Sequence, residues 1–316
     1  MTTTQPKRQP IPFGKYLLLD RINIGGMAEV WRGKMFGAGG FERLVAIKRI
    51  LPNIAEDDEF ISMFIDEAKI SVQLNHANVA KIEELGQIAN NYFIAMEYIP
   101  GKDMRAIFDR GRKKSEPAPV PLVAYVVSKM CEGLDYAHRK KDGMGRDLNI
   151  VHRDISPQNI LISFEGEVKV IDFGLARSSV QLAPRSGGER GTPEYLAPEI
   201  LTNKGHGKGV DWWTVGILLY EMIAGIDPFN DDDPMAIYQN ILRGVIKFPR
   251  KFDRDARSLV KHLLQADLSK RYGNLKNGEL SSVAGREEPP LLRHHQLEAA
   301  AQEGHRAALQ ARRQVR

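Results

Sequence analysis

The sequence predicts an α+β chain in two parts, a small sheet-rich one followed by a larger helical one. Two observations carry this. In the first third, short runs rich in Val, Ile and Leu ("YLLLDRIN", "RLVAIKRIL", "NYFIAMEYI") alternate with turn residues, the pattern of a small sheet. In the remainder, apolar residues return at helical spacing in "VPLVAYVVSKMCEGLDYAHRK", "GILLYEMIAG", "PMAIYQNILRG" and "DARSLVKHLLQADL", joined by loops of Pro, Gly and Asp. The character changes near residues 97–103.

Taken in order, residues 1–14 are rich in Thr, Pro and Gln and read as a flexible N-terminus. The strands follow, interrupted by "DDEFISMFIDEAKISVQLN", where Phe60, Phe64 and Ile70 fall at helical spacing. The acidic residues that open this run suit a helix N-terminus. "EVKVI" is a further strand-like run within the helical part. One domain over residues 15–280 results, with parts at about 15–97 and 103–280. Residues 281–316 lose all periodicity and become polar, Ala-rich and Arg-rich, a tail with no assigned structure.

With 316 residues, 42% of them hydrophobic, the chain can bury a sizeable core. The single cysteine, Cys131, excludes an internal disulfide framework and fits a reducing compartment, so cytoplasm is the expected location. "MTTTQPKRQP" lacks the apolar stretch of a signal peptide, and "WWTVGILLYEMIAG" is too short to span a bilayer and contains Glu221. The net charge of +5 is spread along the chain, which reads as a solvated surface rather than a nucleic-acid footprint. Neither nucleic acid nor membrane is expected as a partner, and the oligomeric state is not written in the sequence.

Chemistry concentrates in a few motifs. Gly25 and Gly26 in "INIGGMAEVWRG" let backbone amides approach phosphate oxygens, although a Gly-Gly turn alone more often marks a plain hairpin. Lys48 in "VAIK" can hold phosphate oxygens, and Glu67 in "IDEAK" can pair with it and hold its ammonium in place. In "VHRDISPQN", Asp154 can accept or orient a hydroxyl proton, Asn159 can bind a metal ion and Arg153 can neutralise a nearby anion. Asp172 in "VIDFGLA" offers a carboxylate for Mg²⁺. Each short motif is common by chance, but their order and spacing together are not.

"VAIK", the Glu67 helix, "HRDISPQN", "DFG", "GTPEYLAPE" and "DWWTVG" stand in the order of the eukaryotic-type protein kinase superfamily, which the chain resembles from about residue 14 to 275. The resemblance implies a two-lobed kinase fold, with a small sheet-rich N-lobe and a larger helical C-lobe. It also implies ATP and Mg²⁺ (or Mn²⁺) as cofactors, and transfer of the γ-phosphoryl group to Ser/Thr hydroxyls of protein substrates. "IGGMAEVWRG", "LNHANVAKI" and "GRDLNIVHRDISPQNILIS" are similar to bacterial, myxobacterial-like Ser/Thr kinases. From Gly191 onward, "GTPEYLAPEIL" and "LLQADLSKRYGNLKNG" resemble the cyclic-AMP-dependent protein kinase catalytic subunit and its AGC relatives.

By matching position, the resemblance implies nucleotide contacts from Ile22, Asn23, Gly25, Gly26, Met27, Ala28 and Val30 of the glycine loop, and from Ala46, Lys48 and Glu67. Met96 matches the gatekeeper, Glu97, Tyr98 and Ile99 the hinge that meets the adenine edge, and Asp103 completes the nucleotide set. Asp154, Arg153 and Ser156 match the catalytic loop, with Asn159 and Asp172 as metal ligands. Glu199 and Arg271 match a supporting buried ion pair, and Asp211 the helix residue that braces the catalytic loop. Asp103, Gln158 and Glu221 match the places that receive arginines before the target hydroxyl, which implies a moderate preference for basic peptides.

Four departures bear on activity. Asn23 and Ala28 replace glycines of the loop, where Asn can adopt positive φ and Ala adds one methyl; weaker ATP affinity is expected. Ser156 replaces the lysine that neutralises the γ-phosphoryl in the resembled kinases, a loss on the order of a few kcal/mol of transition-state stabilisation. Gly188 stands where AGC kinases carry a phosphorylated threonine, leaving Ser178, Ser179 and Ser186 as other acceptors, Glu189 as a fixed charge and Thr192 as the substrate-loop threonine. The tail holds no Phe, unlike the hydrophobic motif of AGC kinases. An active Ser/Thr kinase is the expected function, and a catalytically weak pseudokinase acting as a scaffold the alternative.

Overall fold

A computed structural model describes residues 9–114, 118–173, 195–205 and 207–274, which fall into two compact units divided after Pro100. The activation-segment residues Ser178, Ser179, Ser186, Gly188, Glu189 and Thr192, and the tail from residue 281, lie outside the described residues.

The first unit is a six-stranded antiparallel sheet ordered β1-β2-β3-β4-β6-β5. Its strands are β1 (Ile11–Phe13), β2 (Tyr16–Ile24), β3 (Ala28–Phe36), β4 (Glu42–Ile50), β5 (Ile82–Ile88) and β6 (Asn91–Glu97). Because side chains alternate along a strand, β4 and β6 feed two cores at once. Val45, Ile47, Phe93 and Ala95 join Phe13, Tyr16, Leu18 and Trp31 on one face. Ala46, Ile50, Ile94 and Met96 join Ile82, Phe64 and Ala68 on the other. Phe64 and Ala68 come from α1 (Asp58–Ser71), whose first turn is capped by the Asp57 carboxylate accepting from the Glu59 and Phe60 amides. Ile11–Phe13, assigned from composition to a flexible terminus, instead pair with β2. Phe13 anchors them by packing edge-on against Phe93 with ring centroids 5.2 Å apart.

Among its described residues, the second unit holds a three-stranded antiparallel sheet, β7 (Gly101–Asp103), β8 (Ile160–Ser163) and β9 (Val168–Val170), and six helices. These are α2 (Met104–Lys114), α3 (Val120–His138), α4 (Pro198–Leu201), α5 (Gly209–Ala224), α6 (Pro234–Arg243) and α7 (Arg254–Leu263). α5 is buried on every side from Gly209 to Met222, as its all-round apolar sequence requires, and packs against α3 and α7. Gly216 permits the α7 contact, since a Cβ there would lie 2.9 Å from the Leu263 and Leu264 side chains. α7 stops at Leu263, short of the stretch expected from periodicity. The Gln265 carbonyl beyond it accepts from Arg271 Nε at 2.8 Å instead of continuing the helix. Among the described residues, no helix is long and apolar enough to cross a membrane.

Candidate active site

In the first unit, the hairpin between β2 and β3 forms the glycine loop. Gly25 N–H donates to the Ala28 carbonyl at 2.9 Å and closes the turn, leaving Gly25 and Gly26 exposed at its tip. The Met27 carbonyl accepts from the Leu51 amide at 3.0 Å, which ties the loop to the end of β4. Asn23 does not use the positive φ open to it: it lies in β2 opposite Val30, and its side-chain oxygen accepts from the Ile24 amide at 2.8 Å. The strand register accommodates the missing glycine, so no left-handed residue is needed there.

Behind the loop, strand pairing sets Val30 opposite Lys48 and Ala46 opposite Met96. Ala28, Val30, Ala46 and Met96 share the apolar face that packs on α1. Lys48 rises from the same face, and its ammonium lies 2.8 Å from Glu67 Oε1, with side-chain exposures of 6% and 2%. Burying both charges is tolerable only as a pair, so the arrangement holds one ammonium in one place. Glu97 turns its carboxylate back to the Lys81 amide at 3.2 Å, while its own amide donates to the Lys81 carbonyl at 2.9 Å. Ile99 is buried, and Ile22 is half exposed on β2.

In the second unit, the catalytic loop is organised by Asp211 in the first turn of α5. Its carboxylate accepts from the His152 amide at 2.8 Å and the Arg153 amide at 2.7 Å, and meets His138 Nε2 at 2.7 Å. Burial pushes this carboxyl up, but the His138 contact and the Arg153 N–H outweigh it and hold the group below the usual carboxylate range. Arg153 adopts φ of 68°, a left-handed conformation that costs a non-glycine residue about 1–3 kcal/mol and that the Asp211 bond secures. His152 is fully buried. Its Nε2 faces the Ile171 carbonyl at 2.8 Å and its Nδ1 accepts from the Asp154 amide at 3.2 Å, which assigns the proton to Nε2.

Asp154 and Asn159 are drawn together by the 3₁₀ turn Pro157–Asn159. Asn159 Nδ2 donates to Asp154 Oδ2 at 2.9 Å and to the Asp154 carbonyl at 2.7 Å. Both amide hydrogens being used there, Asn159 Oδ1 remains an acceptor. The Ile171 amide donates to the Asn159 carbonyl at 3.0 Å, which brings Asp172 beside the loop with φ of 61°. Ser156 is nearly buried at the N-cap of that turn, without capping it through its side chain. Among the described residues, no group of three or more His, Cys, Asp or Glu forms a metal cage. An amide oxygen and an adjacent carboxylate are hard donors that suit Mg²⁺, which retains waters and phosphate oxygens as its other ligands.

Two further clusters support this unit. Arg271, fully buried, meets Glu199 through Nη1 at 2.6 Å and Nη2 at 2.9 Å, and donates to the carbonyls of Gly209 and Gln265. The pairing expected from sequence is thus present, and the Arg271 guanidinium also lies 5.0 Å from the Trp213 ring centre. Elsewhere, Glu221 is buried between Arg105, at 3.1 Å, and the Tyr195 hydroxyl. Burial, then the Glu221 charge, pushes the Tyr195 hydroxyl pKa strongly upward. Asp103 accepts from the Ala106 amide at 2.8 Å at the start of α2. The two acidic residues expected to receive substrate arginines therefore already serve partners within the chain. Sequence reasoning missed Arg105 and the His138 contact to Asp211, which no local spacing signals.

The family description "Protein kinase domain" matches residues 17–279. The chain is 38% identical over 245 residues to "Tyrosine-protein kinase MasK" of Myxococcus xanthus, covering 77% of this chain and 38% of that protein. It is 39% identical over 213 residues to "cAMP-dependent protein kinase catalytic subunit PRKX" of Mus musculus, covering 67% and 56%. A Caenorhabditis briggsae protein named "cAMP-dependent protein kinase, catalytic subunit-like" is 36% identical over 253 residues, covering 80% and 60%. The chain thus spans about half the length of these curated relatives. Both the bacterial and the AGC-like resemblances read from the motifs have counterparts among them, and the match over residues 17–279 places the chain in the protein kinase family.

Proposed function

We propose that the chain transfers the γ-phosphoryl group of ATP to serine and threonine hydroxyls of proteins, with Mg²⁺ as the required ion. The observation that carries this is the Asp154 carboxylate, held by Asn159 and set in a loop whose strained backbone is tied to Asp211. Phosphoryl transfer relies on positioning and electrostatics more than on covalent help from the protein, so a fixed carboxylate and a fixed ammonium are the groups it needs. Bound ATP with Mg²⁺ supplies the electrophilic phosphorus and the charge neutralisation between phosphates. Asp154 orients the substrate hydroxyl and takes its proton, Asn159 Oδ1 and Asp172 offer oxygens to the ion, and Lys48, steadied by Glu67, meets phosphate oxygens.

The experiment is incubation with radiolabelled ATP and a mixed protein substrate, followed by phosphoamino-acid analysis, with an Asp154→Ala control. Phosphoserine and phosphothreonine are expected from the wild type and neither from the control. Predominant phosphotyrosine would overturn the serine/threonine part of the reading, a pointed outcome because the Myxococcus xanthus relative is named a tyrosine kinase.

Ser156 sets the rate in this reading. A Ser156→Lys variant restores a cation next to the transferred group and is expected to raise kcat about tenfold, the equivalent of ~1.4 kcal/mol in barrier height. Steady-state kinetics showing no rise, in a variant with an unchanged melting midpoint, would refute the charge-loss account of this position.

A further inference from the structure

We propose that the end of α6, the loop after it and the outer face of α7 form a docking site for an acidic protein segment that also carries aliphatic side chains. Between residues 243 and 261, seven basic residues stand against only two acidic ones, Asp253 and Asp255. Asp253 is committed, its carboxylate accepting from the Asp255 and Ala256 amides as the cap of α7. Lys247, Arg250, Lys251, Arg254 and Lys261 are exposed, and none of them has an ion-pair partner among the described residues.

The cations are arranged rather than scattered. Arg254, Arg257 and Lys261 follow one another at helical spacing and share a stripe of α7, while Ala256, Leu259, Val260 and Leu263 bury the opposite side. Phe248 gathers the loop to this stripe: the Arg257 guanidinium lies 5.1 Å and the Lys261 ammonium 5.9 Å from its ring centre. Arg257 also donates to the Pro249 carbonyl at 3.4 Å. Phe248 is itself set against Tyr220 and Phe252, at 5.6 and 5.0 Å between centroids, and the Tyr220 hydroxyl donates to the Lys247 carbonyl. The fold therefore keeps a group of like charges together on an ordered frame, with no ion pair to relieve their repulsion among the described residues. A partner bearing carboxylates relieves it and gains the electrostatic complementarity that guides association.

Charge alone would accept any polyanion; the neighbouring apolar residues select a protein chain. Leu242 and Val245, flanking Arg243 at the end of α6, are 50% and 65% exposed. A segment mixing Glu or Asp with Leu or Val satisfies both features, whereas a nucleic-acid backbone offers phosphates and nothing for Leu242 and Val245. No residue of this surface belongs to the "VHRDISPQN" loop or to the Lys48–Glu67 pair, so the site can be altered without touching the groups assigned to phosphoryl transfer.

The test measures binding of a fluorescein-labelled Glu- and Leu-rich peptide to the full chain by fluorescence anisotropy, a readout that needs no phosphoryl transfer and so succeeds or fails separately from the kinase assay. Expected are saturable binding that weakens with added salt, and a loss of about tenfold in affinity in the variant R250E/K251E/R254E. Leu242→Ser with Val245→Ser is expected to weaken the peptide several-fold while leaving poly-glutamate binding unchanged. A circular dichroism melt verifies folding; should the triple variant be unfolded, Lys251→Glu alone, at an exposed site, replaces it with a smaller loss expected in the same direction. Variants that bind the peptide as the wild type does overturn the proposal. So does tighter binding of a DNA duplex or of phosphatidylserine vesicles than of the peptide.

Discussion

An Asp154→Asn variant is expected to lose 10²–10⁴-fold in kcat, roughly the contribution of a positioned general base, while KM for ATP changes little. The substitution keeps the size and one hydrogen-bonding oxygen of the side chain but removes its charge and its ability to take a proton. Asn159 Nδ2 can still donate to the remaining oxygen, and the Asp154 amide can still donate to His152 Nδ1, so the loop keeps its shape. That separation makes the experiment decisive. A loss of activity with an unaltered melting midpoint assigns the effect to chemistry, whereas a variant retaining more than about a tenth of wild-type kcat would remove Asp154 from the role given to it. Single-turnover measurement with saturating ATP distinguishes a slower transfer step from slower product release.

The largest expected effect on stability comes from Arg271→Ala. Arg271 is fully buried and uses its guanidinium on both Glu199 oxygens and on two backbone carbonyls. Its removal leaves the Glu199 carboxylate buried without its counter-charge, at a cost of about 3–5 kcal/mol. The same reasoning predicts that a double variant, Arg271→Met with Glu199→Leu, recovers much of the loss, because neither buried charge then remains. Chemical denaturation of the three proteins measures both statements. A single-variant loss below about 1 kcal/mol would show that water or a rearranged side chain replaces the arginine, and the pair would then not be the support it is taken to be.

Much of the fold was legible because its signals are local. The short apolar run in "RLVAIKRIL" marks a strand, and β4, carrying apolar residues at successive positions, feeds two cores. The run "DWWTVGILLYEMIAG" is apolar all round, and α5 is buried all round. The acidic opening of "DDEFISMFIDEAKISVQLN" marked a helix start, and Asp57 caps α1 there. The exceptions are instructive. Ile11–Phe13 looked like part of a polar terminus, since three residues carry no periodicity, but pairing with β2 and the packing of Phe13 against Phe93 order them. Asn23 is able to adopt positive φ in place of a glycine, and the register of β2 against β3 makes no use of that freedom.

The site divides along the same line. The identities of Lys48, Glu67, Asp154, Asn159 and Asp172 are carried by short motifs in a fixed order, because phosphate, metal and hydroxyl chemistry demand particular groups. Their readiness for use is not. Asp211 lies 59 residues from His152, yet its two oxygens hold the catalytic-loop backbone and the left-handed Arg153. Glu221 reads as a free carboxylate along the chain, but Arg105, 116 residues away, already occupies it. Motifs and periodicity therefore settled which groups this protein owns and which elements carry them, since both depend on neighbours a few residues apart. Which charges are paired, which backbone is held under strain and which cations stand without partners depend on contacts between distant segments, and these form only when the hydrophobic cores bring those segments together.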